Sequence, residues 1–593
     1  MTDRRWTPAA VGKRVRQCLA QGADLPLPAA PPPTLYLDLA ENVVRQATAW
    51  QTPEGMIGDP FNEPGVESVT ATPRYAAALG HLLAAGRCQD LVAAAEGAMD
   101  WCCGQVSDHL TSGWSCAVFN MKDLLVLFEA LAPFAEVARY AGWRAQLQAP
   151  TPETFYAGHR NYLFYGIAAE ALRIRLELSD RIDYIDATIE SELPWWTEFG
   201  MYRDPGDPAT YDLTVRQSLA FLLENGYEGQ HLEWIRETLR KGALTSLLFT
   251  SPCGVAPCGG RSNQYHHMEG MTAYFAEHQA KQAWADGDQA LAAAYRRLAL
   301  GGAEAVKRWM LREPYACTKN LMAAEPFLGQ DGFGPHQNAH SGYGLLGANL
   351  FAGAYHVANQ DIPIGSAPYS VGGYMLYLPD AFHRIWATAG DYHLQVDTRG
   401  QSHYDPTGLV RFHRRGVPVE TSLNMGIVPS PNYNMPMEKA PRAVALGVGW
   451  PCDSGWRYLA AANRETHEVT VETIREDEVV EFTVDYHGLE GMEVHEHYAL
   501  SADGLRLACH VPGADKLRLQ VPLIGTDGEE RSELDVETGT ATARYRGRAF
   551  TVTVPGACKA WLEPWPAPNR NGVYRVAVFE VDGDSTVCGL SLD

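Results

Sequence analysis

NQDIPIGSAPYSVGG, residues 359–373, divides the chain into two kinds of sequence. Two prolines, three glycines or serines on the way to a Gly-Gly pair and no helical period make it a linker by composition. Before it, apolar residues recur at three- and four-residue steps. LYLDLAENVVRQATAW (35–50), PRYAAALGHLLAAG (73–86), MKDLLVLFEALAPFAEVARYAG (121–142), YLFYGIAAEALRIRLEL (162–178) and QALAAAYRRLALGGAEAVKRWML (289–311) all read as helices. Pro73 opens one of them, and Ser179-Asp180 precedes another as cap residues. After the linker, short alternating segments take over: YHLQVDTR (392–399), VVEFTVDYH (479–487), MEVHEHYAL (492–500), LRLACHV (505–511) and YRVAVFEV (574–581). Turn residues separate them every eight to twelve positions or so, the pattern of a sandwich.

Helices first and strands afterwards imply segregated domains rather than an interleaved fold. The expected architecture is a multidomain α-then-β chain. An N-terminal (α/α) toroid, incomplete or six-fold, spans 1–360, and an antiparallel β-sandwich spans 361–593. Paired helices joined by aromatic-rich loops such as WTEFGMYRDPGDPATYD (196–212) suit a toroid whose loops line a central cleft.

The 593 residues carry a formal net charge of -23, with 46% hydrophobic and 20% charged residues. A surface this acidic disfavours nucleic acid and anionic membranes, and an acidic ligand would need local cations in a cleft. The N-terminal stretch is charged and lacks the apolar core of a signal peptide, so the sequence predicts a cytoplasmic protein. Self-association into a homo-oligomer stays open. The 12 cysteines form no disulfide framework. Cys253 and Cys258 lie near His266 and His267, but without a second pair at metal spacing the expectation is no metal and no cofactor.

Four segments concentrate chemistry-bearing side chains. GDPFNEPGVESVTATPRY (58–75) holds Asp59, Glu63, Glu67, Arg74 and Tyr75. GMYRDPGDPATYDLTVRQ (200–217) holds Tyr202, Asp204, Tyr211, Asp212 and Arg216, the last pair spaced as a helical ion pair. In GGRSNQYHHMEGMTAY (259–274), a double glycine precedes Arg261, Asn263, Gln264, Tyr265, His266, His267 and Glu269. A helix starting near Gln264 would put Tyr265 and Glu269 on one face and could orient His266 against Glu269. FGPHQNAHSGYGLLGANL (333–350) holds His336, Asn338, His340 and Tyr343; a helix starting near Ala339 would present His340 at its mouth. The alternative for each is structural: a capped helix start, a loop staple or a packed ring. Trp114, Trp195, Trp196, Phe199 and Tyr162 lie near loop ends where rings stack on sugars, although most of the 15 tryptophans must serve packing. In the strand-rich half, QSHYDPTGLVRFHRRGVP (401–418) groups His403, Tyr404, Asp405, Arg411, His413, Arg414 and Arg415, a basic run that could reach the cleft.

With this order of elements, GGRSNQYHHMEG, FGPHQNAHSGYG and the strand pair EVHEHYALSADGLRLACHV (493–511), the chain resembles the heparinase II/III-like and alginate-lyase group of toroid-plus-sandwich enzymes. The sequence departs from that group in two places. HRNYLFYG, with His159, Arg160 and Asn161, stands in for an Asn-His neutralising pair, and the zinc-ligand histidines of some members are absent. The resemblance implies cleavage of an acidic oligo- or polysaccharide at uronic-acid residues by β-elimination. His340 or His266 is then the base, Tyr265 or Tyr343 the acid, and Asn263, Arg261 or Arg216 lies near the sugar carboxylate. Gln264, His267, Asn338, Tyr211, Asp212, Trp195, Trp196, His403 and Tyr404 complete the expected substrate contacts. Two alternatives stand beside it. One is a glucuronidase-like hydrolase pairing Glu269 with Asp59, Glu63 or Asp212, its carboxyls roughly 6.5–9.5 Å apart for inversion. The other is a non-catalytic glycan-binding protein.

Overall fold

A computed structural model describes residues 6–26, 29–59, 70–112, 117–156, 158, 160–319, 339–431 and 438–593. Its helical part comprises α1 (Pro8–Gln21), α2 (Leu35–Thr48), α3 (Ala71–Ala84), α4 (Val92–Ser112), α5 (Ala117–Leu131), α6 (Val137–Gln148), the single turn α7 (Pro152–Phe155) and α8 (Asn161–Arg175). It continues with α9 (Ile182–Glu192), α10 (Ala209–Glu224), α11 (Leu232–Phe249), α12 (His267–Ala285), α13 (Gln289–Met310), α14 (Gly344–Val357) and the single turn α15 (Pro368–Val371).

Six of these close a ring. Helix α3 packs on α5, α5 on α8, α8 on α10, α10 on α12, α12 on α14, and α14 back on α3. Helices α2, α4, α6, α9, α11 and α13 alternate with them in sequence and lie outside, which makes the helical part a six-fold (α/α) toroid. The sequence sorts the layers. Outer helix α2 buries a stripe that includes Leu35, Leu39, Val43 and Ala47, whereas inner α14 buries nearly its whole length from Gly344 to Ala354. A helix apolar on all sides belongs in an interior, and a striped one belongs at a surface.

The strands follow in three antiparallel sheets. The first is β1 (Gly372–Leu378), β2 (Arg384–Ala389), β3 (Tyr392–Asp397) and β4 (Gly408–Arg414) in sequential order. A five-stranded sheet contains β5 (Gly447–Cys452) and β6 (Gly455–Tyr458), and an eight-stranded one runs from its edge strand β7 (Glu468–Glu476) through β8 (Val480–Leu489), β9 (Met492–Ser501) and β10 (Gly504–His510). Strand β11 (Lys516–Thr526) joins the five-stranded sheet, and β12 (Glu533–Glu537), β13 (Thr540–Tyr545) and β14 (Arg548–Thr553) extend the eight-stranded one. The hairpin of β15 (Ala557–Asn569) and β16 (Gly572–Asp582) completes the former, and β17 (Ser585–Leu592) the latter.

Strand β8 shows the expected alternation, burying Val480, Phe482, Val484 and Tyr486 against one shared core. Strands β2 and β3 do not alternate: every residue in them is buried. Their sheet is a middle layer. Tyr374, Leu376 and Trp386 pack into the helical core, and Met375, Ile385, Leu394 and Val396 into the sheet core. The face toward the helices also carries polar side chains that grip the helical part. Gln395 pairs with the backbone of Cys258, Arg411 Nη1 donates 2.8 Å to the Ala256 carbonyl, and Arg384 reaches the Asp207 carbonyl.

Candidate active site at the mouth of the toroid

Because an outer helix returns the chain after each inner one, the six inner helices run in the same direction and their N-termini share one end. Backbone N–H groups left unbonded there, with the positive ends of the helix dipoles, favour anions. Side chains near those ends are Arg74 on α3, Lys122 and Asp123 on α5, Arg160 and Asn161 at the start of α8, Tyr211 on α10, His267 on α12 and Tyr343 just before α14. Arg74, Arg160 and Arg261 are half-buried here, so the mouth gathers cations in a chain of strongly negative charge.

Three rings form its centre. Tyr265 and Tyr343 stack with centroids 4.4 Å apart, and His267 lies 5.3 Å from the first and 5.1 Å from the second. Arg74 sits 5.4 Å over the Tyr343 ring and donates to the Gly342 carbonyl at 2.9 Å. Tyr265 is fully buried and Tyr343 half-buried, so Tyr343 is the phenol that faces the opening. Burial, followed by the guanidinium groups of Arg74 and Arg570, holds the His267 imidazole neutral well below its ordinary range.

The turn that delivers these rings is strained. Gly259, Gly260, Ser262 and Gln264 all have positive φ, at 121°, 81°, 62° and 70°. A side chain on Gly259 would strike the Arg384 guanidinium, and one on Gly260 would strike Pro208, which explains the double glycine. Ser262 and Gln264 are non-glycine residues in the left-handed region, a conformation held only where surroundings impose it. The helix therefore begins at His267 rather than near Gln264, and Tyr265 and His266 lie before it. Arg261 folds beside this turn, bonding Asp204 at 2.6 Å and lying 4.5 Å over the Tyr211 ring. Asp204 also accepts from the Asn161 amide at 2.7 Å, tying the starts of α8 and α12.

Other residues singled out in the sequence have different places. His266 is buried, kept neutral by burial and by the Lys319 ammonium. Glu269 accepts from Lys319 at 3.1 Å in a fully buried ion pair, so its carboxylate does not face His266 across a helix turn as expected. Asp212 and Arg216 form another buried pair, and Arg216 also bonds Gly242 and Ser246, pinning α10 to α11. His340 is not at the mouth of a helix. It lies in a π-helical turn, Ala339–Tyr343, buried against Tyr315 at 4.4 Å and Trp50 at 5.5 Å. Burial lowers its pKa to about 4 against the opposing pull of Asp59, which itself accepts from the Ser341 N–H.

Trp196 is a packing residue among Phe164, Tyr202 and Trp234, whereas Trp195 is exposed with Arg160 3.4 Å over its ring. Tyr202 is buried, its hydroxyl on Glu192. Asn263 bonds back to Gly260, and Gln264 receives the Asn424 amide at 3.1 Å. From the strand-rich half, Tyr404 lies beside Arg261 and Asp405 accepts from the Gly260 N–H at 2.7 Å; His403 points out and pairs with the Ser430 carbonyl. Cys253 contacts the Arg414 carbonyl and Cys258 joins an apolar cluster, and among the described residues no three His, Cys, Asp or Glu side chains gather as a metal site. Glu63, Glu67, Trp114, His159, His336 and Asn338 lie outside the described residues. Among described residues no helix is long and apolar enough to cross a membrane.

The sequence reading missed Lys122, Lys319, Tyr315, Asn424 and Arg570. Only Arg570 had a signal, the turn Asn569-Arg570-Asn571-Gly572, whose polar side chains belong outside a hairpin but are buried here.

No known protein family matches the sequence, and no curated protein is significantly similar to it. The structure is similar to that of heparinase III, with a TM-score of 0.55 at 10% identity over 96% of this chain and 86% of that one. It is also similar to a mutant of the heparan sulfate lyase of Pedobacter heparinus, with a TM-score of 0.52 at 9% identity over 99% and 88% of the two chains. At these identities the likeness is one of fold, and it extends through both the toroid and the sheets.

Proposed function

We propose that this chain is a polysaccharide lyase that cleaves an acidic glycan at uronic-acid residues by β-elimination. The observation that carries the reading is the Tyr265–His267–Tyr343 stack under Arg74 at the convergent helix N-termini. The fold shared with heparinase III supports it.

In this reading the uronate carboxylate lies against Arg74 and the helix ends, which draw charge from the sugar and acidify its C5 proton. His267, neutral because burial and two arginines oppose its protonation, takes that proton. The C5–H electron pair forms the C4–C5 double bond as the C4–O bond breaks, and Tyr343 gives its hydroxyl proton to the departing oxygen. Proton return from His267 to Tyr343 through solvent restores the site. Trp195 with Arg160, and Arg261 with Tyr211, flank the mouth and suit neighbouring acidic sugars.

The hydrolase alternative loses ground on the same geometry. Glu269 and Asp212 are spent in buried ion pairs, and Asp59 accepts from the Ser341 N–H. A panel of uronate glycans followed by both ultraviolet absorbance and reducing-end release tests the proposal. The expected result is an absorbance rise that His267→Ala and Tyr343→Phe abolish. Reducing ends without new absorbance would establish hydrolysis instead, and binding without turnover would establish a glycan-binding protein.

A further inference from the structure

The β15–β16 hairpin ends in a turn whose Asn569, Arg570 and Asn571 are 0%, 2% and 0% exposed. A hairpin tip normally keeps such side chains in water, and burying a guanidinium is costly unless its surroundings are built for it. Here they are. Arg570 Nη1 donates 2.7 Å to the Asn263 carbonyl, and the guanidinium carbon lies 4.5 Å over the Tyr265 ring. Between those two residues stands Gln264 with its positive φ, its side chain held by the Asn424 amide, which also bonds Asn571 at 2.9 Å. Asn569 bonds the Met425 carbonyl at 3.1 Å and caps the Asn571 N–H, fixing the tip itself. Every residue of the 263–265 segment is therefore gripped from the sheet side, Asn263 by a residue 307 positions away in sequence and Gln264 by one 160 positions away.

We propose that Arg570 is a positioning residue. Resting on the elimination reading above, it locks Tyr265, and through that ring the stacked His267 and Tyr343, so the sheets set the geometry of a site whose chemistry lies on the helices. The groups facing His267 are Arg74 from α3, Arg570 from the hairpin, Tyr265 and His266 from its own turn, and Tyr343 from the start of α14. Loss of Arg570 removes one of two cations that oppose protonation of His267, and it frees Tyr265 to tilt.

The test compares Arg570→Gln and Arg570→Lys with the parent protein. Arg570→Gln should lower kcat about 10-fold or more, because misplacement of about 1 Å can cost about 10²-fold, while KM changes little. Its acid limb of kcat/KM should move to higher pH. Arg570→Lys retains the charge and should keep the acid limb in place, with part of the kcat loss remaining. Histidine NMR titration supplies a readout independent of turnover: the His267 resonance should titrate at higher pH in Arg570→Gln than in the parent or in Arg570→Lys. An Arg570→Gln protein that melts like the parent, with kcat, acid limb and His267 titration all unchanged, overturns the proposal. If Arg570→Gln does not fold, an Arg570→Lys protein with parental kcat overturns it. If the parent cleaves no uronate glycan the elimination reading fails, and the His267 titration alone then decides whether Arg570 governs that ring.

Discussion

The two ends of the toroid differ in what surrounds their charges. At the C-terminal end of the inner helices Arg16 pairs with Asp288, Arg236 with Glu233, Arg240 with Glu237, and both Lys281 and His278 with Glu224. At the N-terminal end, Arg74, Arg160 and Arg261 crowd where the helix dipoles are already positive, and four positive-φ residues stand within six positions. There Arg261 is paired with Asp204 and Arg160 with Glu192, whereas Arg74 bonds a backbone carbonyl and is the cation best placed for an incoming anion, beside a turn held in the strained conformations that functional sites retain.

Substitutions that separate the two ends should differ most in their effect on turnover. Tyr343→Phe removes the mouth-facing hydroxyl and should cut kcat by about 10²–10⁴-fold with an unchanged melting temperature. Lys319→Met leaves the buried Glu269 carboxylate unpaired beneath the mouth. It should cost about 3–5 kcal/mol in chemical unfolding, a loss of stability rather than of a proton carrier. Arg74→Ala should raise KM about 10-fold for an acidic glycan, a charge-assisted contact contributing about 1.5–3 kcal/mol. Parental KM in Arg74→Ala would break the comparison.

A smaller effect concerns pH. His340 is buried with its pKa lowered to about 4, so the unfolded chain takes up its proton first as pH falls below about 6.5. The contribution of neutral His340 to stability is thus complete above pH 6.5 and is lost between there and pH 4, by up to about 1.4 kcal/mol per unit. His340→Gln should flatten the fall in stability across that window, measured by urea unfolding at several pH values. At the other end, Arg240→Ala removes an exposed pair and should change stability by no more than about 0.5 kcal/mol, with activity intact.

What the sequence showed of this site follows from the same contrast. The order of helices and strands was legible because the periods 3.6 and 2 are properties of local segments. The Gly259-Gly260 pair marked the turn, and Tyr265, His267 and Tyr343 were all visible as candidates. The roles of adjacent histidines were not. Positive φ at Ser262 and Gln264 moves the start of α12 to His267, and a shift of even one residue on a helix turns a side chain by about 100°. That rotation places His267 in the stack and His266 behind it. The π turn before α14 likewise buries His340 and leaves Tyr343 facing the opening. Arg570 was beyond reach because its partners are set by docking of the sheets, not by any local pattern.

The central claim is that bond cleavage at this mouth is an elimination. Mass spectrometry of the products from a defined uronate oligosaccharide, digested in ¹⁸O-labelled water, tests it most directly. The account predicts a new non-reducing end one water lighter than a hydrolysis product, with no ¹⁸O incorporated at the cleaved bond. Products of full mass that carry ¹⁸O at that bond would contradict it.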